Sequence, residues 1–337
     1  MATDAQKILV VVGGTGRTGK SVAQSLHGNP NFHVKVTTRD TSSDRAQFIR
    51  SLGIEVVQAD SWNPDEMDKA FAGAWGVYMN TNSEAPDFTG SSTLRESDMG
   101  KIVIDAARRQ NVEVFVFAGL PEAARITDGK CQISTFNQKN EISRYGQAAG
   151  FKTFTNVNVG WQMENFWNPV YEVPFGGFAR RKDDDGYLTI KIFPMGNTPE
   201  STPWTSIRDD YGDIVHGVFH SPAKWNNQTV WAVSHPTSFQ SVADAYNRVT
   251  GTQAARYLVP EAPAVASSPE KANEVNGIGN YVKCVKGNYC NGSPVDQAPA
   301  IELKKAGALA RGNPMAETEL QTIEGFIRVH AFKGEDM

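Results

Sequence analysis

The 337-residue sequence predicts an α/β protein: a doubly wound parallel sheet followed by a smaller mixed C-terminal lobe. Three observations carry this. Short β-branched runs alternate with helical segments up to Gly160, the first run empties into glycines, and the alternation stops beyond Gly160. Lys7 to Val12 is the first strand, apolar throughout as a strand buried on both faces must be. Gly16 to Leu26 sets Val22, Ala23 and Leu26 at helical spacing, and His33 to Thr38 is strand-like again. Strand, helix, strand in that order demands parallel pairing.

Gln47 to Leu52 predicts a helix and Ile54 to Ala59 a third strand. Asn63-Pro64-Asp65-Glu66 combines a cap, a first-turn proline and two acids, so a helix opens there and runs to Phe71. Val77 to Asn80 is a fourth strand, Thr93 to Arg109 a long helix, and Val112 to Phe117 a fifth strand. Phe136 to Ala149 is a helix ended by Gly150, and Lys152 to Val159 a sixth strand. Beyond, Arg181 to Phe193 resembles a hairpin around Asp185-Gly186. Asp209 to His220, Gln240 to Val249 and Glu317 to Ala331 read as helices, with a strand from Gln228 to Val233. Val259 to Ala300 holds five prolines and four glycines, which argues for irregular structure, as a surface loop, a lid or an interface segment.

Composition removes several classes of function. The formal net charge of −4 offers no drive toward nucleic acid or anionic membrane. No apolar stretch reaches the roughly 18 residues of a membrane helix, and the opening MATDAQK lacks the regions of a signal peptide. Three cysteines, Cys131, Cys284 and Cys290, are too few for a disulfide framework and indicate a reducing compartment with Cys284 and Cys290 as free thiols. A soluble, cytoplasmic protein is expected. His216 and His220 share a helical spacing without a third ligand or an H-E-x-x-H pattern, so solvated histidines are expected rather than a metal site. No G-x-S-x-G elbow supports serine hydrolysis.

The chemistry concentrates in Gly13-Gly14-Thr15-Gly16-Arg17-Thr18-Gly19, which satisfies G-x-G-x-x-G from Gly14. The loop leaves the first strand and enters a helix whose free N–H groups and positive dipole end suit a pyrophosphate, the arrangement of a Rossmann dinucleotide site. The second strand ends in Thr37-Thr38-Arg39, an arginine where an acid would bond a ribose 2′-hydroxyl, although Asp40 follows immediately and either Arg39 or Arg17 can also be a solvated surface charge. Arg39 can fork onto a 2′-phosphate and Arg17 can reach the same group, which favours NADP(H) over NAD(H). Asp60 and Ser61, past the third strand, are placed for the adenine edge. Asn80, Thr81 and Asn158, at the ends of the fourth and sixth strands, complete the expected cofactor set.

Three stretches together resemble the NmrA-like family of atypical short-chain dehydrogenases/reductases, with isoflavone-reductase-like enzymes as its relatives. They are Val11 to Gly19, Phe117-Ala118-Gly119-Leu120-Pro121-Glu122, and Phe136-Asn137-Gln138-Lys139. The resemblance implies an NADP-binding Rossmann domain with Ala118 and Lys139 beside the nicotinamide. Most superfamily members pass a proton through serine, tyrosine and a lysine four residues on. Here Ala118 stands where the serine is expected and Thr135 four residues before Lys139, so two of the three are absent. By resemblance Lys139 holds the ribose, acts as acid or base, or does both; a purely structural lysine is the competing account.

Six aromatic residues follow the sixth strand: Trp161, Phe166, Trp167, Tyr171, Phe175 and Phe178. They are divided between lobe packing and the wall of an apolar substrate pocket, with Trp161, Phe166 and Trp167 as the expected wall. The expectation is a Rossmann domain over residues 1–160 and an interleaved substrate or partner lobe over 161–337. Its function is NADPH-dependent reduction of a small apolar, even aromatic, metabolite, with a non-catalytic NADP(H)-sensing regulator that binds a protein partner as the alternative.

Overall fold

The computed structural model describes residues 5–83, 85–88, 93–196, 198, 200–263 and 268–330. The first half supplies β1 (Lys7–Val12), α1 (Arg17–His27), β2 (Phe32–Thr38), α2 (Asp44–Ser51), β3 (Glu55–Gln58) and α3 (Pro64–Phe71). It continues with β4 (Gly76–Met79), α4 (Glu96–Arg109), β5 (Val114–Phe117), α5 (Ala123–Ile126), α6 (Ser134–Ala148) and β6 (Thr153–Asn158). The second half adds β7 (Trp161–Gln162), α7 (Pro169–Glu172), β8 (Leu188–Lys191), β9 (Pro203–Thr205), α8 (Gly212–His220) and β10 (Thr229–Trp231). After these come β11 (His235–Pro236), α9 (Phe239–Thr250), β12 (Ala255–Leu258), α10 (Pro269–Cys284), α11 (Ala298–Ala310) and α12 (Ile323–His330).

Seven strands form one parallel sheet in the order β10-β6-β5-β4-β1-β2-β3. Chain order reverses between β1 and β4, which makes the carboxyl ends of those two strands the switch point where α/β folds bind ligands. Side chains alternate across the sheet. Leu9 and Val11 face Val22 and Leu26 of α1 and Ile214 and Val218 of α8. Val10 and Val12 pack with Met67, Val103, Ile104 and Ile142 from the other layer. Asn63 accepts hydrogen bonds from the N–H groups of Asp65 and Glu66 ahead of Pro64, which starts α3 as its residues predict. A smaller sheet, β11-β9-β7, and the pair β12-β8 enclose a third core around Phe166, Trp204, Phe239, Tyr281 and Phe326.

Several expectations are corrected. Residues 181–193 are not a hairpin: β8 pairs parallel with β12, from Leu188 opposite Ala255. The turn before it is held from outside, because Arg256 bridges Asp183 and Asp185 at 2.6 and 2.7 Å. Within 259–300, of which 264–267 lie outside the described residues, α10 is a 16-residue helix. Its Ser268 cap and Pro269 belong to a helix start, and Gly279 is a packing position where a Cβ would meet Phe193 at 3.0 Å. The rest, up to α11, is irregular as expected: Pro260, Pro263 and Pro294 lie outside any helix or strand, and Gly287 and Gly292 take positive φ in turns. The last helix begins at Ile323 instead of Glu317, and Ala331 lies outside the described residues.

His216 is fully buried rather than solvated, because α8 is packed between α1 and α11. Its ring nitrogens meet Ser25 Oγ at 3.1 Å and Asn29 Nδ2 at 2.9 Å. Burial pushes its pKa down to about 4, so it is neutral at physiological pH. His220 is exposed.

Candidate active site

Gly13 follows β1 with φ of 76°, a left-handed conformation that favours glycine. A Cβ there would lie 2.4 Å from the Asn80 carbonyl oxygen, and one on Gly19 would lie 2.3 Å from the Gly13 oxygen. Both approaches close the loop onto β4 and α1. Gly16 then starts α1 with no side-chain cap and no acid in the first turn, leaving the helix end suited to a diphosphate. Thr15 and Thr18 lie within this turn. Arg17 points across to the second half of the chain, where its Nη1 meets Gln162 Oε1 at 3.4 Å and Asn165 Oδ1 at 3.3 Å.

The strand ends beside the loop form one continuous edge. The Asn80 N–H donates to Val12 at 3.2 Å, and the Ala118 N–H donates to Met79 at 2.9 Å. Asn158 Nδ2 donates to Leu120 at 3.2 Å, and a Cβ on Gly119 would strike Asn158 Oδ1 at 2.3 Å. Lys139 reaches this edge from α6. Its Nζ donates to the Thr81 carbonyl and hydroxyl at 3.0 and 2.7 Å and lies 3.3 Å from Glu96 Oε1. It is 6% exposed, unlike the solvated lysine most helices carry. Gly13, Asn80, Thr81, Lys139, Ala118 and Asn158 are thus brought together.

Arg39 and Asp60 sit farther along the sheet. Arg39 is exposed and ion-paired with Asp87 at 2.9 Å. Asp60 shares a turn with Ser61, receiving the Trp62 N–H on Oδ1 at 3.0 Å while its own N–H donates to Glu66.

The aromatic segment divides into two groups. Phe166, Phe175 and Phe178 are buried, with Phe166 4.9 Å from Trp204 and 5.0 Å from Phe178 between ring centres. Phe166 stands in the core. Trp161, Trp167 and Tyr171 are partly buried around it. Trp161 packs 5.5 Å from Phe239 and 5.7 Å from Phe175, and its buried indole N–H meets no acceptor among the described residues. An orphaned donor of that kind costs free energy until a ligand or water meets it.

Sequence reasoning missed three groups here. Glu96, the buried partner of Lys139, carries no local signal beyond its place in the first turn of α4. A polar chain runs from Tyr171 OH to Lys271 Nζ at 3.3 Å, on to Glu274 at 3.1 Å, and ends on Thr135 Oγ1 at 3.1 Å. Lys271 and Glu274 belong to α10, where irregular structure was expected, and Thr135 is one helical turn before Lys139. Glu164, just after Trp161, is 1% exposed. Burial raises its carboxyl to about 7, while the Arg208 N–H on Oε1 at 2.8 Å and nearby Arg17 oppose the rise.

A surface cavity of about 580 Å³ lies among His27, Phe32, His33, Ile54 and Glu55, at the amino ends of β2 and β3 and away from this edge. Among the described residues no His, Cys, Asp and Glu group could hold a metal, and no helix is long and apolar enough to cross a membrane.

The NmrA-like family matches residues 5–317. The chain is 36% identical over 318 residues, covering 94% of it and 95% of the relative, to the NmrA-like family domain-containing oxidoreductase lnaB of Aspergillus flavus. It is also 36% identical over 332 residues, 96% and 98% of the two chains, to the NmrA-like oxidoreductase FrzB of a Cladobotryum species. Among solved structures, NmrA, a negative transcriptional regulator, superposes with TM-scores of 0.73 in its NAD complex and 0.72 in its NADP complex. Both share 19% identity and cover 96% of this chain and 95% of that one.

Proposed function

The chain belongs to the NmrA-like family, and from that premise we propose that it is an NADPH-dependent reductase of a small, largely apolar, even aromatic, metabolite. The observation that carries this is the buried Lys139 ammonium, held by Thr81 and Glu96 on the strand edge that the glycine loop adjoins. A cation kept out of water at such a cost suits a site where a ribose hydroxyl must be oriented or a developing oxyanion stabilised. The fit to a dinucleotide is supported by the loop itself, since side chains at Gly13 or Gly19 would collide with backbone. The bound dinucleotide would supply hydride. The α1 end would take the diphosphate, Arg39 with Arg17 the 2′-phosphate, Asp60 and Ser61 the adenine edge, and Asn80, Thr81, Ala118 and Asn158 the nicotinamide half. Lys139 would orient the ribose and stabilise negative charge, and Trp161 with Trp167 would shield the substrate from water.

The regulator alternative has its own support. Ala118 removes the serine hydroxyl of the usual proton relay, and Thr135 puts an aliphatic hydroxyl, a far weaker acid, in place of the phenol. NADPH oxidation by the purified protein, followed at 340 nm with apolar carbonyl, imine and enone compounds, separates the two accounts. The reductase account expects turnover with at least one class. Tight NADPH binding without oxidation by any compound would favour the regulator.

A further inference from the structure

We propose that Cys131 and Cys284 form a reactive dithiol that peroxides oxidise to an intramolecular disulfide, bolting α10 to the segment leading into α6. Their Sγ atoms lie 3.3 Å apart, van der Waals contact with no atom between them, although the residues are far apart in sequence. Cys131 is 4% exposed and fixed by its N–H, which donates to Thr127 Oγ1 at 3.0 Å. Cys284, the last residue of α10, is exposed. One sulfur thus meets solvent oxidants and the other waits behind it, the arrangement of an attacking and a resolving thiol. Cys290 is an internal control: it is buried, burial raises its thiol to about 12, and it should stay reduced.

The chemistry balances with a hydroperoxide as two-electron oxidant. The Cys284 thiolate attacks the terminal peroxide oxygen. An S–O bond forms, the O–O bond breaks, and the leaving oxygen departs as water or alcohol after taking a proton. The Cys131 sulfur then attacks the Cys284 sulfur, forming S–S and expelling the sulfenic oxygen as water. A dithiol reductant reverses the step by exchange.

The bridge would act on a helix that covers chemically meaningful ground. α10 carries Lys271 and Glu274, which reach Tyr171 and Thr135, and its Gly277 and Gly279 rest near Ile133 and Phe193. Oxidation therefore fixes the C-terminal end of the helix whose other end contacts the partly buried aromatic residues.

The test uses the full-length reduced protein treated with stoichiometric hydrogen peroxide. Free thiols are then counted under denaturing conditions and peptides mapped without reductant. The proposal expects a mass loss of about 2 Da, a peptide joining residues 131 and 284, and one remaining thiol at Cys290, all reversed by dithiothreitol. Cys284→Ser, an exposed and conservative change, should keep both other thiols and give no bridge. Amide exchange across 269–284 should slow in the oxidised protein. Retention of all three thiols would overturn the proposal, as would Cys284 sulfinic acid with Cys131 still free, a bridge through Cys290, or disulfide-linked dimers. Unchanged exchange in a bridged protein would overturn the tethering of α10.

Discussion

Lys139 Nζ lies 3.3 Å from Glu96 Oε1, with the two side chains only 7% and 1% exposed. Glu96 starts α4, where the helix dipole favours a carboxylate, and Lys139 is set by α6 one turn after Thr135. Neither charge can be removed alone without stranding the other in a dry site. Glu96→Ala should therefore destabilise the protein by about 3–5 kcal/mol, while Glu96→Ala with Lys139→Met should recover much of the loss. Urea unfolding of the two single variants and the double variant measures the coupling, and strictly additive costs would mean the pair is energetically uncoupled.

Arg39→Ala should weaken NADPH binding about ten- to hundredfold and leave NADH nearly unchanged, the worth of a hydrogen bond to a charged group. Arg39 is already drawn toward Asp87, so Asp87→Asn should leave NADPH binding intact or tighten it. Fluorescence titration of both cofactors checks the assignment, and equal losses for the two would remove Arg39 from the 2′-phosphate.

Phe166 and Trp161 should behave differently when truncated. Phe166 touches Trp204 and Phe178 in the core, so Phe166→Ala should cost about 3–5 kcal/mol of stability. Trp161, partly exposed and with an indole N–H that meets no acceptor among the described residues, should lose substrate binding at a smaller stability cost. Thermal melts paired with substrate KM separate the roles; equal melting losses would return Trp161 to the core.

Two buried groups give stability opposite pH slopes. His216 titrates near 4 in the fold against about 6.5 unfolded, so the unfolded chain binds the extra proton and stability falls as pH drops through that window. Glu164 titrates near 7 against about 4.5 unfolded, so the native state holds the extra proton and its contribution declines as pH rises from 4.5 to 7. Glu164→Gln removes only the second slope. Relative to wild type it should gain up to about 3 kcal/mol between pH 5 and pH 8, measured by denaturant unfolding at both. A pH-independent difference would show that Glu164 does not titrate in this range.

The sequence alone determined the parallel sheet of β1 to β6 and the glycine loop, because each rests on information within one or two turns of chain. An apolar run long enough to be buried on both faces, a proline after an asparagine cap, and glycines between a strand and a helix act through neighbouring residues. Lys139 was legible as a candidate only through the family resemblance that Phe136-Asn137-Gln138-Lys139 carries. Its burial was not, since that depends on Thr81 and Glu96, which α4, α6 and β4 bring together. The same holds for His216 inside three packed helices, β8 paired parallel with a strand that follows α9, and Cys131 against Cys284. Gly279 shows why local chemistry misleads: it reads as a breaker, yet it lies inside α10 where a Cβ would press on the Phe193 ring at 3.0 Å. Local backbone preference can be read from adjacent residues, whereas burial and partner choice belong to side chains brought together from distant parts of the chain, and only the packed tertiary structure decides those.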